Sequence, residues 1–265
     1  MTLLLAILLS TLVLPPAQAK EGSPLISSFV RSKNLKILRQ PHEVEELSGD
    51  VRYRKGNRSM RSDWATYDHD TRVLKARGNV VAEERPESGE VITTYGEEGT
   101  YNMGTEKGFL LPRAGQKLRF TRTAPGQPGM DEGNALRAHW DGKAQRIDFE
   151  GQCRAEGPNG RSQSDWSQYD MERRLLWLKG DVQLSRPDGR SWSDEAHYYR
   201  DQGRLVLDGR RPVVTTHEEK YSAAVQADHI EARREPKSIH GEGGARGWVV
   251  FRDRQRHLKG KKKRS

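Results

Sequence analysis

Ser62-Asp63-Trp64-Ala65-Thr66-Tyr67-Asp68 runs into a polar turn at His69-Asp70 and continues as Arg72-Val73-Leu74-Lys75-Ala76-Arg77-Gly78-Asn79-Val80. The pattern returns as Ser164-Asp165-Trp166-Ser167-Gln168-Tyr169-Asp170 followed by Arg174-Leu175-Leu176-Trp177-Leu178-Lys179-Gly180-Asp181-Val182. A third copy begins Ser193-Asp194-Glu195-Ala196-His197-Tyr198-Tyr199 and ends Arg204-Leu205-Val206-Leu207-Asp208-Gly209. Each reads as a strand, a polar turn and a second strand. Gly49 and Gly78 lie 29 positions apart, as do Gly151, Gly180 and Gly209. A fixed period of this size marks an array of units, each too small to bury its own apolar face. The chain is therefore expected to be all-β, a repetitive antiparallel array of two-strand units of about 29 residues. Function is then sought in the surface the array makes.

Counting back from the glycines tests the alternation. Two and four residues before them lie Ala76 and Leu74, Phe149 and Ile147, Leu178 and Leu176, Leu207 and Leu205, all apolar. The positions between are Lys75, Asp148, Trp177 and Val206, a mixed set. Successive strand side chains point to opposite faces, so one face is consistently apolar. The parity continues past the glycine in Val51, Val80, Cys153 and Val182 and fails at Arg211. A bend or bulge at each glycine is expected. The pattern fits an ordinary buried sheet face as well as a ligand-lined one.

Composition bounds the alternatives. Of 265 residues, 33% are hydrophobic and 31% charged, lean for a compact two-layer core. Six Trp and eight Tyr argue against disorder through the body. The net charge of +9 is concentrated at one end: residues 252–264 hold eight Lys or Arg against one Asp. The body is close to neutral, and the tail ending Lys261-Lys262-Lys263-Arg264 reads as a solvated end. Basic and aromatic residues are not interleaved along the chain as in a nucleic-acid binder, so nucleic acid is not an expected partner.

Residues 3–14 form an apolar run followed by Pro15-Pro16 and Ala17-Gln18-Ala19. This is the pattern of a secretory signal with cleavage after Ala19, although no Lys or Arg precedes the run. The run falls short of the ~20 residues of a comfortable membrane span. A retained membrane anchor and a cytosolic chain are the alternatives. The single cysteine, Cys153, excludes an internal disulfide and sits at a core-facing position.

Along the chain, residues 20–46 read as a lead-in and 47–110 as a first run of units. Residues 111–134, with Ala124-Pro125-Gly126-Gln127-Pro128-Gly129, read as a long loop joining two halves. Residues 135–251 hold the second run, and 252–265 the basic tail. No paired-cysteine metal spacing, phosphate-binding glycine loop or Gly-x-Ser-x-Gly elbow is present, and the eight His are scattered. Neither a catalytic site nor a cofactor or metal site is expected. The repeated Asp63, Asp165 and Asp194 read as structural hydrogen-bonding positions, and Tyr67, Tyr169 and Tyr198 as packing ones.

The unit Ser-Asp-x-Ala-x-Tyr-Asp, a turn, then Leu-x-Leu-x-Gly-Asn/Asp-Val resembles the OstA-like repeat of lipopolysaccharide-transport proteins. That family includes the bridge protein LptA, the membrane-anchored LptC and the N-terminal domain of LptD. The resemblance implies a V-shaped β-jellyroll trough in the periplasm, with lipid A acyl chains held inside and units stacked end to end by strand pairing. Lipopolysaccharide, other proteins of the same system and further copies of the chain are the implied partners. Carried onto this sequence, the trough lining is Leu74, Ala76, Val80, Ile147, Phe149, Leu176, Leu178, Val182, Leu205 and Leu207. Two alternatives are an LptC-like anchored subunit and an exported structural, adhesive or glycan-binding β-repeat protein.

Overall fold

The computed structural model describes residues 29–40 and 43–251. The expected signal segment 1–19 and basic tail 252–265 lie outside the described residues. Twenty strands are described, all paired antiparallel, with no helix among them. The chain enters through β1 (Phe29–Arg31) and β2 (Asn34–Leu38). Four long strands follow: β3 (Val44–Lys55), β4 (Arg58–Asp68), β5 (Val73–Glu84) and β6 (Val91–Asn102). Next come the short β7 (Lys107–Leu111), β8 (Leu118–Thr123), β9 (Asp131–Ala135) and β10 (Arg137–Asp141). A second long set is β11 (Arg146–Gly157), β12 (Gly160–Asp170), β13 (Leu175–Arg186) and β14 (Gly189–Tyr199). Six short strands close the chain: β15 (Arg204–Asp208), β16 (Val213–His217), β17 (Tyr221–Gln226), β18 (His229–Arg233), β19 (Ser238–Glu242) and β20 (Arg246–Phe251).

Every second long strand, β3, β5, β11 and β13, carries its glycine at a bulge. Gly78-Asn79 face the single Glu97 of β6, and Gly180-Asp181 face the single Asp194 of β14. Both residues of each pair have positive φ: 75° and 49° in the first, 75° and 43° in the second. A left-handed pair within a strand turns its direction, so one strand serves two half-sheets that fold towards each other. The aspartate fifteen residues earlier explains the need for glycine. A Cβ on Gly180 would lie 2.4 Å from Asp165 Oδ2, and one on Gly78 would lie 2.6 Å from Asp63 Oδ2. The aspartates also satisfy the bend: Asp63 accepts a hydrogen bond from Asn79 Nδ2 at 2.7 Å, and Asp194 accepts one from the Arg210 N–H at 2.8 Å.

Between the long sets the strands divide outright. One half-sheet runs from β6 through β7 and β10 to the first half of β11. The other runs from β6 through β8 and β9 to the second half of β11. The division repeats after β14, through β15, β18 and β19 on one side and β16, β17 and β20 on the other. The architecture is a V-shaped antiparallel β-jellyroll made twice, β11–β14 repeating β3–β6.

The stretch 111–134 therefore differs from its expectation as a joining loop. It contains β8 and most of β9, which build one wall between the two long sets. Pro125, Gly126, Pro128 and Gly129 form the β8–β9 hairpin, whereas Pro112 and Gly115 lie in the β7–β8 connection and Gly133 within β9. The lead-in likewise contributes β1 and β2, paired on opposite halves of β3. At Gly209 the parity fails because the strand is cut: β15 ends at Asp208, β16 begins at Val213, and the residues between loop out.

The interior is filled by three clusters in succession. The first centres on Leu47, Val51, Ala65, Tyr67, Leu74 and Val80; the second on Leu118, Ile147, Phe149 and Cys153; the third on Leu178, Val182, Leu207 and Ile230. Trp140 packs against the first and second, and Leu176 against the second and third, so the apolar interior is continuous. Burial pushes the Cys153 thiol up. Two tryptophans off the inner face are tied down: Trp64 Nε1 donates to Glu46 at 2.9 Å and Trp177 Nε1 to Glu195 at 2.7 Å.

The bulge yields a prediction. Gly180→Ala should lose about 2–3 kcal/mol, from left-handed strain plus the forced movement of Asp165. Gly56→Ala, whose φ is +57° but whose Cβ would meet nothing within 4 Å, should lose about 1–2 kcal/mol, the strain alone. Chemical denaturation of the two variants separates these costs; equal losses would mean that the contact with Asp165 carries none of the effect.

Candidate functional site

The space between the half-sheets is the candidate site. The first cavity, about 340 Å³, is lined by Tyr53, Met60, Leu74, Val80, Met103 and Trp140 among others. The second, about 170 Å³, is lined by Phe120, Ile147, Phe149, Leu176, Leu178 and Leu205 among others. Seven of the ten residues expected on the lining thus face one or other cavity. Ala76, Val182 and Leu207 are buried on the same face but pack within the clusters. Lys75, one position out of phase, is exposed.

Two charged clusters cross the mouth of the V. Both were missed at the level of sequence. In the first, Arg58 extends from the β3–β4 hairpin to the opposite half-sheet. Its Nε donates to the Glu84 carboxylate at 3.0 Å, and its Nη1 donates to Tyr101 Oη and to Glu106 Oε2, each at 2.9 Å. Its Nη2 donates to the Gly142 carbonyl at 3.0 Å, in the β10–β11 turn. In the second, Glu90 is fully buried. It accepts from Arg122 Nη2 at 2.9 Å, Tyr169 Oη at 2.5 Å and Arg174 Nη2 at 3.3 Å. Glu90 and Arg122 belong to one half-sheet and Tyr169 and Arg174 to the other, so the cluster ties the two together. Tyr169, read as a packing residue, is thus also a hydrogen-bonding one.

The two carboxyls shift in opposite directions. Glu84 has a single arginine, and desolvation outweighs the attraction of Arg58, raising its pKa. For Glu90 desolvation also pushes upward, but the hydrogen bonds from Arg122 and Tyr169, with the charges of Arg122 and Arg200, overcome it and hold the carboxyl below its ordinary range. Burial and the adjacent Glu90 push the Tyr169 phenol up to about 12. A buried charge is tolerated where it is paired and hydrogen-bonded, and removing one partner is expensive.

A signal for these residues exists in the strand parity. Glu84 is in phase with the inward Val80 and Ala82, and Arg122 with Leu118 and Phe120. A charge at an inward position must find a partner across the trough.

The Glu90 cluster yields a pH prediction. A carboxyl held low in the folded state stabilises the fold above the unfolded value, about 4.3, and that stability disappears as pH falls through the folded value. Glu90→Gln should therefore cost about 3 kcal/mol at pH 7, on the order of 10 °C in melting temperature. The gap between wild type and variant should close as pH falls below about 4. Melting curves from pH 7 to pH 3 measure this; a gap independent of pH would show that Glu90 does not act through its charge.

A family profile described as "LptA/(LptD N-terminal domain) LPS transport protein" matches residues 30–238. No curated protein matches the chain. Among solved structures 17 chains match. One is LptH, described as the LptA homologous periplasmic component of the lipopolysaccharide transport device from Pseudomonas aeruginosa. It is 11% identical with a TM-score of 0.29, the match covering 58% of this chain and 82% of that one. The profile spans well over half of the sequence and both long-strand sets, and the chain belongs to the LptA/(LptD N-terminal domain) family of LPS transport proteins.

Proposed function

We propose that this protein is a periplasmic carrier of lipopolysaccharide that holds lipid A acyl chains in the trough and passes them along a bridge between the membranes. It acts by binding and not by catalysis. The observation that carries the reading is the continuous apolar interior, with two cavities whose linings include the in-phase residues Leu74, Val80, Ile147, Phe149, Leu176, Leu178 and Leu205. Transfer of an aliphatic chain from water into such a lining gains about 0.8 kcal/mol per CH₂, so affinity accumulates without a polar contact to the chain. The family to which the chain belongs supports lipopolysaccharide as the ligand.

End-to-end assembly is supported by the terminal strands. At one end β1 and β2 pair with β3 alone and carry the exposed Phe29, Leu35, Ile37 and Leu38. At the other, β20 pairs with β17 and presents Trp248, Val249, Val250 and Phe251, each more than half exposed. Open apolar edges template pairing with another chain. The partner is a second copy or another protein of the same transport system.

Both parts are testable. A photo-crosslinking residue at Leu176 or Leu205 should capture lipopolysaccharide in cells, whereas one at Lys75 or Asp208 should not. Equal capture at both parities would mean that the ligand does not lie inside the trough. In sedimentation experiments the protein should associate as its concentration rises, and Trp248→Lys with Val250→Lys should hold it monomeric. Association unchanged by both lysines would rule out the β20 edge as the joint.

A further inference from the structure

The two cavities share an apolar lining but differ in charge. The first is lined by Lys55 and Arg58 against Glu83, Glu84 and Glu106. The second is lined by five arginines, Arg122, Arg154, Arg161, Arg186 and Arg200, against Asp131 and Glu156. An excess of cations at the rim of an apolar space has no structural need, because each buried cation must be desolvated.

The excess centres on Arg122 and Arg200. Arg122 leaves only 8% of its side chain exposed and Arg200 only 18%. Their guanidinium carbons lie 5.7 and 5.6 Å from the centre of the Tyr169 ring, so the two cations converge on one spot. They share one carboxylate: Asp131 pairs closely with Arg122 Nη1 and lies 3.6 Å from Arg200 Nη2. Among the described residues Asp131 is the only carboxylate forming an ion pair with Arg200. The Nε atoms of both arginines are buried and make no hydrogen bond among the described residues. Desolvation, with repulsion from Arg122, pulls Arg200 below the usual guanidinium range. A second anion at this spot would relieve that repulsion and supply the missing acceptors.

We propose that Arg122 and Arg200, with Arg154, Arg161 and Arg186 around them, form a binding site for a phosphate group carried by an amphiphile whose acyl chains lie against Phe149, Leu176 and Leu205. A phosphomonoester fits because it carries about −1.5 to −2 charge and three acceptor oxygens, which converging guanidinium groups can bind in paired fashion. A neutral headgroup would leave the cationic excess uncompensated. The site gives the trough a direction in which to hold its ligand, chains inward and phosphate at the mouth. This inference rests on the trough reading above.

The test uses displacement of a fluorescent fatty-acyl probe from the full-length protein, by phosphorylated lipid A, by the same lipid dephosphorylated, and by inorganic phosphate alone. Wild type should prefer the phosphorylated lipid by about tenfold or more. Arg200→Gln should reduce that preference to within about threefold. Should Arg200→Gln fail to fold, the double variant Arg154→Gln with Arg186→Gln decides, since both side chains are exposed. It should reduce the preference about threefold or more. Equal affinity of wild type for the two lipids, or full preference retained in the variants, would overturn the headgroup site while leaving the trough in place. Displacement by inorganic phosphate at the lipid's own affinity would assign the cluster to free phosphate and overturn the headgroup reading. If neither lipid displaces the probe, the trough reading falls and this site falls with it.

Discussion

The structure depends on a glycine bulge in the middle of every second long strand, β3, β5, β11 and β13. A residue pair with positive φ at Gly78-Asn79 and Gly180-Asp181 reverses the local backbone hand and inserts one extra residue into the ladder. A strand so bent cannot lie in one flat sheet. Its two halves join two half-sheets that face each other, and the side chains of one parity are enclosed between them. The aspartate from the neighbouring strand occupies the space where a Cβ would stand, which couples the identity of one residue to that of another fifteen positions away. The sequence period is thus the imprint of a backbone constraint repeated along the array.

Enclosing a trough between two half-sheets leaves its mouth to be managed. A fully apolar closure would bury the interior permanently. Here the half-sheets meet through Arg58 at one place and through Glu90, Arg122, Tyr169 and Arg174 at another. Ionic contacts of this kind add little net stability, because desolvation offsets much of the attraction. Their value is positional: each fixes the separation of the half-sheets at one point. The clusters are not equivalent. Arg58 satisfies four acceptors by itself and leaves Glu84 poorly compensated, while Glu90 is held by several cations and a phenol.

The face assignment was legible in the sequence because strand parity is a local property. Leu74, Ile147, Phe149, Leu176, Leu178 and Leu205 fall on the inner surface as counting back from glycine predicts. The stretch 111–134 was not legible as structure. Its strands are five or six residues each, too short to display alternation against a hairpin dense in Gly and Pro. Their existence is enforced by the half-sheets on either side, where β6 and β11 each need a partner for both of their halves. The ionic clusters were hidden for a related reason. Arg58 and Gly142, or Glu90 and Tyr169, are remote along the chain and meet only across the mouth.

By itself the sequence determined the all-β class, the 29-residue period, the position of each bend and the parity of the buried face. All four follow from interactions between neighbours on one strand or on adjacent strands, whose spacing the chain fixes directly. Tertiary structure alone decided that the strands split twice into separate half-sheets and that the stretch between the two runs of units builds one of the walls. It also decided which charged residues close the trough. These depend on which surfaces face each other through space, and a charged side chain at an inward position carries no sign of its partner until the two half-sheets have folded together.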